Sequence, residues 1–329
     1  MSTPIYSDKD ADLSILQTKR LAFIGYGNQG AAQSQNLRDC GVTEILIGNR
    51  DDAYKNAAIA DGFQVMPIAE AAALGDVIFL LIPDEVQPQV LGEQIAPFLK
   101  AGACLVVASG YNVAFQLFDL PDSIDVIMVA PRMIGSGVRQ RYLSGEPYPC
   151  FISVERDTSG NALKLAQSIA HGIGATRGVI LSSAREEAAL DLFSEQAIWP
   201  FIMAAFRTAY QVLHEAGFSD EAILNEMYLS KEPAEVFDRI ADQGLFEQLT
   251  LHSHTSQFGQ LRALLAEDGS WLYKKFKHVL EDDILSGCFA QEWSDVQAKG
   301  LEHLEQMRAT ALASELAKAD ERVRREKAL

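Results

Sequence analysis

A glycine-rich turn near the start of the chain has the residue types and spacing to bind a phosphate group. The segment Gly25-Tyr26-Gly27-Asn28-Gln29-Gly30 follows the apolar run Leu21–Ile24 and precedes a stretch of helix-forming residues. In this strand-turn-helix setting the first glycine permits a tight turn, the second lets backbone approach a pyrophosphate, and the third lets the helix pack on the strand. We therefore predict that these six residues bind a dinucleotide, the alternative being a purely structural turn.

The next predicted strand is followed by charged residues at the position where such a domain meets the adenosine ribose. Asp51 and Asp52 could accept hydrogen bonds from ribose hydroxyls and would repel a 2′-phosphate, whereas Arg50 could attract one. A solvated turn explains the two aspartates equally well. We expect NADH or NADPH as the cofactor, with Arg50 and Asp52 among its contacts, and the aspartates favour NADH.

A third group of candidate cofactor contacts follows the apolar run that ends at Ile82. Pro83, Asp84 and Gln87 come directly after this run, at the carboxyl edge of a sheet where a nicotinamide ribose would lie. The same residues could form the cap and first turn of a helix, and both roles are compatible.

Two carboxylates in the second half of the chain have the spacing of a cation site. Asp191 and Glu195 are four residues apart, so on a helix both side chains point to one face. A solvated acidic face is the alternative, since Glu186 and Glu187 lie nearby. However, residues 198–203 are apolar around the helix, and carboxylates entering such a helix need a cation or another partner. We predict that Asp191 and Glu195 belong to a functional site.

The elements that must position these residues change in character along the chain. Short apolar runs alternate with helical stretches in the first half, which predicts an α/β fold with a doubly wound parallel sheet. The predicted strands are Leu21–Ile24, Glu44–Ile47, Val77–Ile82, Leu105–Ala108, Val126–Val129 and Cys150–Val154. Beyond Ser182 the pattern is entirely helical, with long segments at 184–216, 220–242 and 271–286. We predict a dinucleotide-binding Rossmann domain at 1–182 and an all-α domain at 183–329.

Composition excludes several classes of protein. A chain of 329 residues is longer than one mid-sized domain usually is, so two domains are expected. The formal net charge of −17 would repel nucleic acid and anionic membranes. Four widely spaced cysteines suggest neither a zinc site nor a disulfide framework. No apolar run reaches the roughly 20 residues of a membrane span, and the first residues do not resemble a signal peptide. We expect a cytoplasmic protein.

Several ordered motifs resemble those of ketol-acid reductoisomerase, an enzyme of branched-chain amino-acid synthesis. They cover nearly the whole chain: residues 6–13, the turn at 25–30, Pro83-Asp84-Glu85-Val86-Gln87, residues 125–131, Asp191-Leu192-Phe193-Ser194-Glu195-Gln196, Glu215-Ala216-Gly217 and residues 287–293. The resemblance implies a knotted helical second domain and a homodimer with shared active sites. It also implies a small-molecule carboxylate substrate.

The resemblance implies a defined chemistry and a defined set of metal ligands. In that family a divalent pair, usually magnesium, polarises a 2-hydroxy-3-keto acid, an alkyl group migrates, and the resulting 2-keto acid takes hydride from NADPH. Of the four carboxylate ligands, Asp191, Glu195 and Glu226 are present, but the fourth position is Ser230. Glu232 cannot replace it, because six residues is about 240° around a helix and a proline follows. We expect Mg²⁺ to be possible and a second ion to be weak or absent.

Two further positions depart from the family pattern beside the substrate. Ser109 stands in place of a histidine, ahead of Gly110 at the cofactor, so a proton relay that used the imidazole must run through water or another group. Arg132 stands in place of a lysine; its planar fork suits carboxylate or phosphate. Ser253 matches a family serine that touches the substrate carboxylate across the dimer. His252 and His254 flank it and could replace the lost imidazole, although an ordinary loop is a simpler explanation.

These departures favour one functional hypothesis over two others. We expect an NAD(P)H-dependent oxidoreductase that reduces the C=O or C=N of a small 2-oxo or ketol acid, with isomerase activity weakened or lost. In this hypothesis Ser109, Arg132, Asp191, Glu195 and Ser253 form the catalytic set. The alternatives are an authentic ketol-acid reductoisomerase, and a non-catalytic nucleotide-binding redox sensor.

Overall fold

The computed structural model describes residues 3–327 and divides them into two compact units. The first unit ends at Asp191 and the second begins at Leu192, so the division falls later than the predicted boundary after residue 182. The helix Ala184–Phe193 lies almost wholly in the first unit because its buried face packs there. Across residues 3–327, no helix is both long enough and apolar enough to cross a membrane.

The first unit is built on a nine-stranded sheet. The strands are β1 (Ile5–Tyr6), β2 (Leu21–Ile24), β3 (Ile45–Gly48), β4 (Gln64–Met66), β5 (Val77–Leu80), β6 (Cys104–Val107), β7 (Asp125–Pro131), β8 (Cys150–Arg156) and β9 (Val179–Leu181). Their order is β1-β9-β8-β7-β6-β5-β2-β3-β4. This confirms the Rossmann-type α/β fold, and all six predicted strands are present.

The sheet is mixed rather than wholly parallel. β7 pairs antiparallel with β8, and β1 pairs antiparallel with β9, whereas the other neighbours are parallel. Pro131 at the end of β7 pairs with Cys150 at the start of β8, so the chain re-enters the sheet at the edge where it left. The apolar runs predicted both strands, but their composition does not encode direction.

Hydrophobic packing covers both faces of the sheet, as parallel strands require. All four residues of each of β2, β3, β5 and β6 are buried. The rings of Phe23 and Phe79 stack with centroids 4.1 Å apart between neighbouring strands. Separate apolar clusters form on the two faces, one around Phe23 and the other around Ile24. This packing fixes the strand ends from which the candidate site residues extend.

Helices and short turns connect the strands of the first unit. The α-helices are Ser14–Gln17, Asn28–Asp39, Ala53–Ala60, Ile68–Leu74, Gln87–Val90, Tyr111–Ala114, Gly135–Ser144, Ala162–Gly172 and Ala184–Phe193. A π-helical segment spans Leu91–Ile95, and 3₁₀ turns span Asp8–Asp10 and Ala96–Phe98.

The second unit contains only helices among its described residues, which confirms the predicted helical half. The α-helices are Trp199–Glu215, Asp220–Leu224, Glu232–Gln243, His254–Ala266, Ser270–His278, Cys288–Ala298, Glu302–Leu312 and Glu315–Lys327. π-Helical segments span Ser194–Ile198, Asn225–Leu229 and Val279–Ile284, and a 3₁₀ segment spans Glu247–Leu251. The predicted helix at 220–242 is broken at Lys231, whose φ of +68° ends one helix before the next begins.

Candidate functional site

Candidate residues of the first unit follow five adjacent strands at one edge of the sheet. In spatial order these strands are β3, β2, β5, β6 and β7, and they are mutually parallel. We call the space outside their carboxyl ends the crevice, which is the usual ligand position in a doubly wound fold. The topology brings together predicted residues that are far apart in the sequence.

The glycine turn after β2 has the geometry that a bound pyrophosphate requires. Gly25 has φ of +96°, and a Cβ atom at Gly30 would lie 2.2 Å from the carbonyl oxygen of Gly25. At Gly27, by contrast, a Cβ atom would meet nothing within 4 Å. Helix Asn28–Asp39 begins there without a side-chain cap, so its first N–H groups and dipole can serve an anion. These residues fit a dinucleotide.

The predicted ribose contacts after β3 are engaged with one another. Asp52 caps helix Ala53–Ala60 by accepting hydrogen bonds from the backbone of Tyr54 and Lys55. It also accepts 2.7 Å and 2.9 Å hydrogen bonds from the side chains of Arg50 and Asn49. The hydrogen bond from Arg50 is the main reason that the pKa of Asp52 is lowered. Asp52 therefore has a structural role as a helix cap, and its contact with a ribose stays a prediction.

The loop after β5 is held by an amide network. Gln87 is buried, and its amide donates to the carbonyl of Ile82 and to Asp84 at 2.7 Å and 3.0 Å. Asn112 donates to the carbonyl of Asp84 and to the amide oxygen of Gln87. Gln87 thus positions the loop on which Pro83 and Asp84 lie, while the direct cofactor contact of these three residues stays a prediction.

The loop after β6 places Ser109 and Gly110 beside the start of helix Ala184–Phe193. A Cβ atom at Gly110 would lie 2.2 Å from the carbonyl oxygen of Ala184, so only glycine permits this approach. The Gly110 N–H donates a 2.7 Å hydrogen bond to Glu187, and the Ser109 hydroxyl accepts one from the backbone of Tyr111. The backbone of this loop is therefore fixed against the helix.

Arg132, directly after β7, is the centre of a charge cluster. Its Nη1 donates to Glu187 at 2.5 Å, and its Nη2 donates to Asp191 at 2.7 Å. The guanidinium carbon lies 4.9 Å from the ring centre of Phe151 on β8, a distance typical of a cation–π contact. Both carboxylates lie on helix Ala184–Phe193, four residues apart. The cluster therefore joins the ends of β6 and β7 to one helix.

Burial and charge act on the cluster in opposite directions. The Glu187 side chain is only 2% exposed, and burial raises its pKa although Gly110 and Arg132 oppose the shift. Burial alone would lower the pKa of Arg132, but the two carboxylates raise it. The guanidinium therefore stays charged and compensates a carboxylate that water does not reach.

Glu187 is the site residue that sequence reasoning missed. In the sequence it only supports the alternative of a solvated acidic face, yet it is buried and contacts two loops. One signal was available: Glu187 precedes Asp191 by four residues and so shares its helix face. What the sequence could not indicate was which partners that face meets.

The remaining candidates lie in the second unit. Glu195 and Glu226 are both exposed and lie in the π-helical segments Ser194–Ile198 and Asn225–Leu229, and such segments occur often at functional sites. Ser253 caps helix His254–Ala266 by accepting from the backbone of Ser256. His252 bonds the side chain of Gln248. Their catalytic roles stay predictions.

The side chains, as the structure places them, do not fit a divalent metal centre. Within residues 3–327, no three His, Cys, Asp or Glu side chains come together as a metal-binding group. Asp191, one of the predicted ligands, instead bonds the guanidinium of Arg132. The ligand set Asp191, Glu195 and Glu226 stays a prediction, and no chemical step below passes through a metal.

Comparison with known proteins gives one consistent family along the whole chain. Residues 15–179 match the family described as "Acetohydroxy acid isomeroreductase, NADPH-binding domain", and residues 185–328 match "Ketol-acid reductoisomerase, C-terminal domain". The ketol-acid reductoisomerase (NADP(+)) of Pyrobaculum islandicum is 40% identical over 306 residues, covering 90% of this chain and 89% of the relative. That of Pyrobaculum aerophilum is 39% identical over 328 residues, covering 98% of both chains.

A solved structure agrees with the sequence comparisons. It is an NADH-preferring ketol-acid reductoisomerase from an uncultured archean, similar to this chain with a TM-score of 0.92 and 32% identity. The match covers 98% of each chain.

Proposed function

The chain belongs to the ketol-acid reductoisomerase family and is an NAD(P)H-dependent oxidoreductase of that type, and from this premise we propose that it reduces a small 2-oxo acid while alkyl migration is weakened or lost. The observation that carries the proposal is the pairing of Arg132 with Glu187 and Asp191. In this pairing Asp191 binds the guanidinium of Arg132 rather than a metal ion. Migration in the family depends on paired cations, whereas hydride transfer to a polarised carbonyl does not.

Different residues of the crevice bind the cofactor and position the substrate oxygen. The turn from Gly25 to Gly30 binds the pyrophosphate and so orients the cofactor along the strand ends. Bound NAD(P)H supplies the hydride. Ser109 already accepts a hydrogen bond from the backbone of Tyr111, and its own hydroxyl hydrogen can be donated to the substrate oxygen. Since serine does not titrate near neutral pH, the proton for the product comes from water.

We propose NADH as the preferred form of the cofactor. Two cations lie near the ribose position, and each is already paired: Arg50 with Asp52 at 2.7 Å and Lys55 with Asp51 at 3.0 Å. A 2′-phosphate would have to compete with these aspartates. The structural relative is named NADH-preferring, whereas the curated relatives are named for NADP(+), so relatives alone do not decide the preference.

A homodimer is proposed as the working form. The second unit exposes large apolar side chains on two neighbouring helices, among them Phe258 and Leu265, which are 69% and 80% exposed, and Trp271. Apolar side chains in this number usually lie at an interface. Phe258 and Leu265 are on the helix that Ser253 caps, which supports a role for Ser253 across the dimer. Size-exclusion chromatography with light scattering tests the dimer, and a monomer would contradict it.

An authentic ketol-acid reductoisomerase is the second candidate function. It is favoured by the names of the curated relatives, which describe ordinary members of the family without any loss of isomerisation. The redox-sensor alternative is disfavoured, because the relatives are enzymes.

One pair of substrates separates the candidates. Reduction of 2-acetolactate requires a methyl shift first, whereas 3-hydroxy-3-methyl-2-oxobutanoate is the 2-keto acid that the shift would produce. We expect NADH oxidation with the second substrate and at most slow oxidation with the first, with magnesium added to both. Equal rates would support the isomeroreductase. Tight cofactor binding without turnover of either acid, or of simple 2-oxo acids with and without ammonium, would support the sensor.

A further inference from the structure

A fixed positive charge, that of Arg132, is bonded to Asp191, one of the predicted metal ligands. Arg132 follows β7 directly, its backbone N–H donates to the carbonyl of Pro149, and its guanidinium lies over the ring of Phe151. Glu187 and Asp191 bind its two terminal nitrogens. Two elements of the first unit, β8 and helix Ala184–Phe193, thus hold the guanidinium, and the side chain remains 25% exposed.

Glu187, one of the two partners of Arg132, is itself held in place. The second carboxylate oxygen of Glu187 accepts the N–H of Gly110, so this side chain has a partner on both oxygens. Because Glu187 is buried, it cannot exchange the guanidinium for water without a large desolvation cost. Arg132 is therefore part of a rigid charge network rather than a mobile surface arginine.

The geometry points to a cation that substitutes for a metal. We propose that the guanidinium of Arg132, clamped by Glu187 and Asp191, takes the place of a divalent cation at Asp191, so that the enzyme reduces its 2-oxo acid without magnesium. A divalent ion on Asp191 would lie beside a fixed positive charge and be repelled by it. This inference rests on the proposed function for its catalytic part alone.

Removal of the guanidinium should create the metal site that the wild type lacks. Glu187 and Asp191 bind one guanidinium, so in an Arg132→Gln variant both carboxylates can reach one ion. The matched control is Arg139→Gln, since Arg139 is 22% exposed but pairs with a single carboxylate, that of Asp39, at 2.7 Å.

Manganese titration followed by electron paramagnetic resonance counts free Mn²⁺ without any turnover. We expect no bound Mn²⁺ for the wild type and for Arg139→Gln, and a new bound ion for Arg132→Gln. Micromolar binding to the wild type would overturn the inference, as would a folded Arg132→Gln that gains none. If circular dichroism shows that Arg132→Gln is unfolded, the wild-type titration decides.

The magnesium dependence of the reductase activity is a second, separate test of the inference. NADH oxidation with 3-hydroxy-3-methyl-2-oxobutanoate should change by less than about twofold when EDTA replaces magnesium. A large loss that magnesium restores would overturn the inference. If no 2-oxo acid is reduced under any condition, the proposed function fails, and the manganese titration still decides whether Arg132 excludes a metal.

Discussion

The two halves of the crevice, the glycine turn after β2 and the charge cluster after β6 and β7, differ in whether their polar groups are already hydrogen-bonded within the chain. After β2, helix Asn28–Asp39 begins without a side-chain cap and Gly27 faces open space. After β6 and β7, by contrast, Arg132, Glu187 and the Gly110 N–H satisfy one another. The first half therefore has backbone N–H groups that are available to a ligand, whereas most polar groups of the second half are hydrogen-bonded to one another. The comparison teaches that polar groups at one end of the crevice are open to a ligand, whereas those at the other end are already paired with one another.

The largest expected effects come from the glycine turn. In Gly30→Ala the new Cβ atom collides with backbone at 2.2 Å, so both stability and cofactor binding should fall, whereas Gly27→Ala meets no protein atom within 4 Å. Gly27→Ala should therefore keep its melting temperature and lose roughly 100-fold in NADH affinity, because the pyrophosphate is displaced. Fluorescence titration and thermal unfolding measure the two quantities.

Gly92→Ala is the control for the glycine variants, since its Cβ atom also meets nothing within 4 Å and it lies away from the turn. It should leave NADH affinity unchanged and should not lower the melting temperature, because alanine favours a helical segment. Unchanged NADH affinity in Gly27→Ala would show that the open space is not the pyrophosphate position.

The next largest effect is expected for the charge cluster. Arg132→Met leaves the buried Glu187 carboxylate without its cation, which should lower the free energy of unfolding by about 3 kcal/mol. Arg20→Met leaves Glu44, which is 57% exposed, and should lower it by about 1 kcal/mol or less. Urea denaturation at neutral pH measures both values. Equal losses of unfolding free energy would contradict the claim that the ion pair of Arg132 with Glu187 is more deeply buried than an ordinary surface ion pair.

A smaller effect is expected for cofactor choice. Asp52→Ser keeps a helix cap but frees Arg50, and should shift the ratio of NADPH to NADH affinity toward NADPH by roughly tenfold. The double variant Arg50→Ser/Asp52→Ser should cancel most of that shift. If Asp52→Ser leaves the ratio unchanged, the pairing of Arg50 and Asp52 does not set the preference.

The smallest effect concerns a buried carboxylate at the other end of β7. Burial alone would raise the pKa of Asp125, but hydrogen bonds from the backbone and hydroxyls of Thr158 and Ser159 lower it. The folded chain therefore binds this proton less tightly than the unfolded chain does. The stabilisation from Asp125 is complete above about pH 4 and is lost as pH falls through the lowered pKa.

Asp125→Asn isolates this contribution, because the amide does not titrate. Between pH 5 and pH 3 the unfolding free energy of the wild type should fall more steeply than that of Asp125→Asn, as urea denaturation can show. Parallel curves would indicate that Asp125 has an ordinary pKa.

Local patterns predicted much of this molecule. The glycine turn, the six principal strands and the helical second half follow from residue spacing, and the family, fold class and enzyme class are confirmed. The short strands β1, β4 and β9 were missed, because two or three residues carry too little periodicity. The direction of β8 was missed as well.

The charge cluster shows why the rest could not be predicted. Arg132 bonds Glu187 and Asp191, which lie 55 and 59 residues further along the chain. Helix periodicity puts Glu187 on the same face as Asp191, but the sequence analysis paired Asp191 with Glu195. Only the tertiary fold brings the end of β7 to that face. The sequence favoured a metal ion as the partner of Asp191, whereas in the structure its partner is Arg132.

Transfer of a label from deuterated NADH tests the central claim most directly. The nicotinamide carries deuterium at the transferred position, and mass spectrometry follows the product from 3-hydroxy-3-methyl-2-oxobutanoate and, in parallel, from 2-acetolactate. The account predicts deuterated dihydroxy acid from the first substrate and little or none from the second. Comparable labelling from 2-acetolactate would show that migration is intact and would contradict the account.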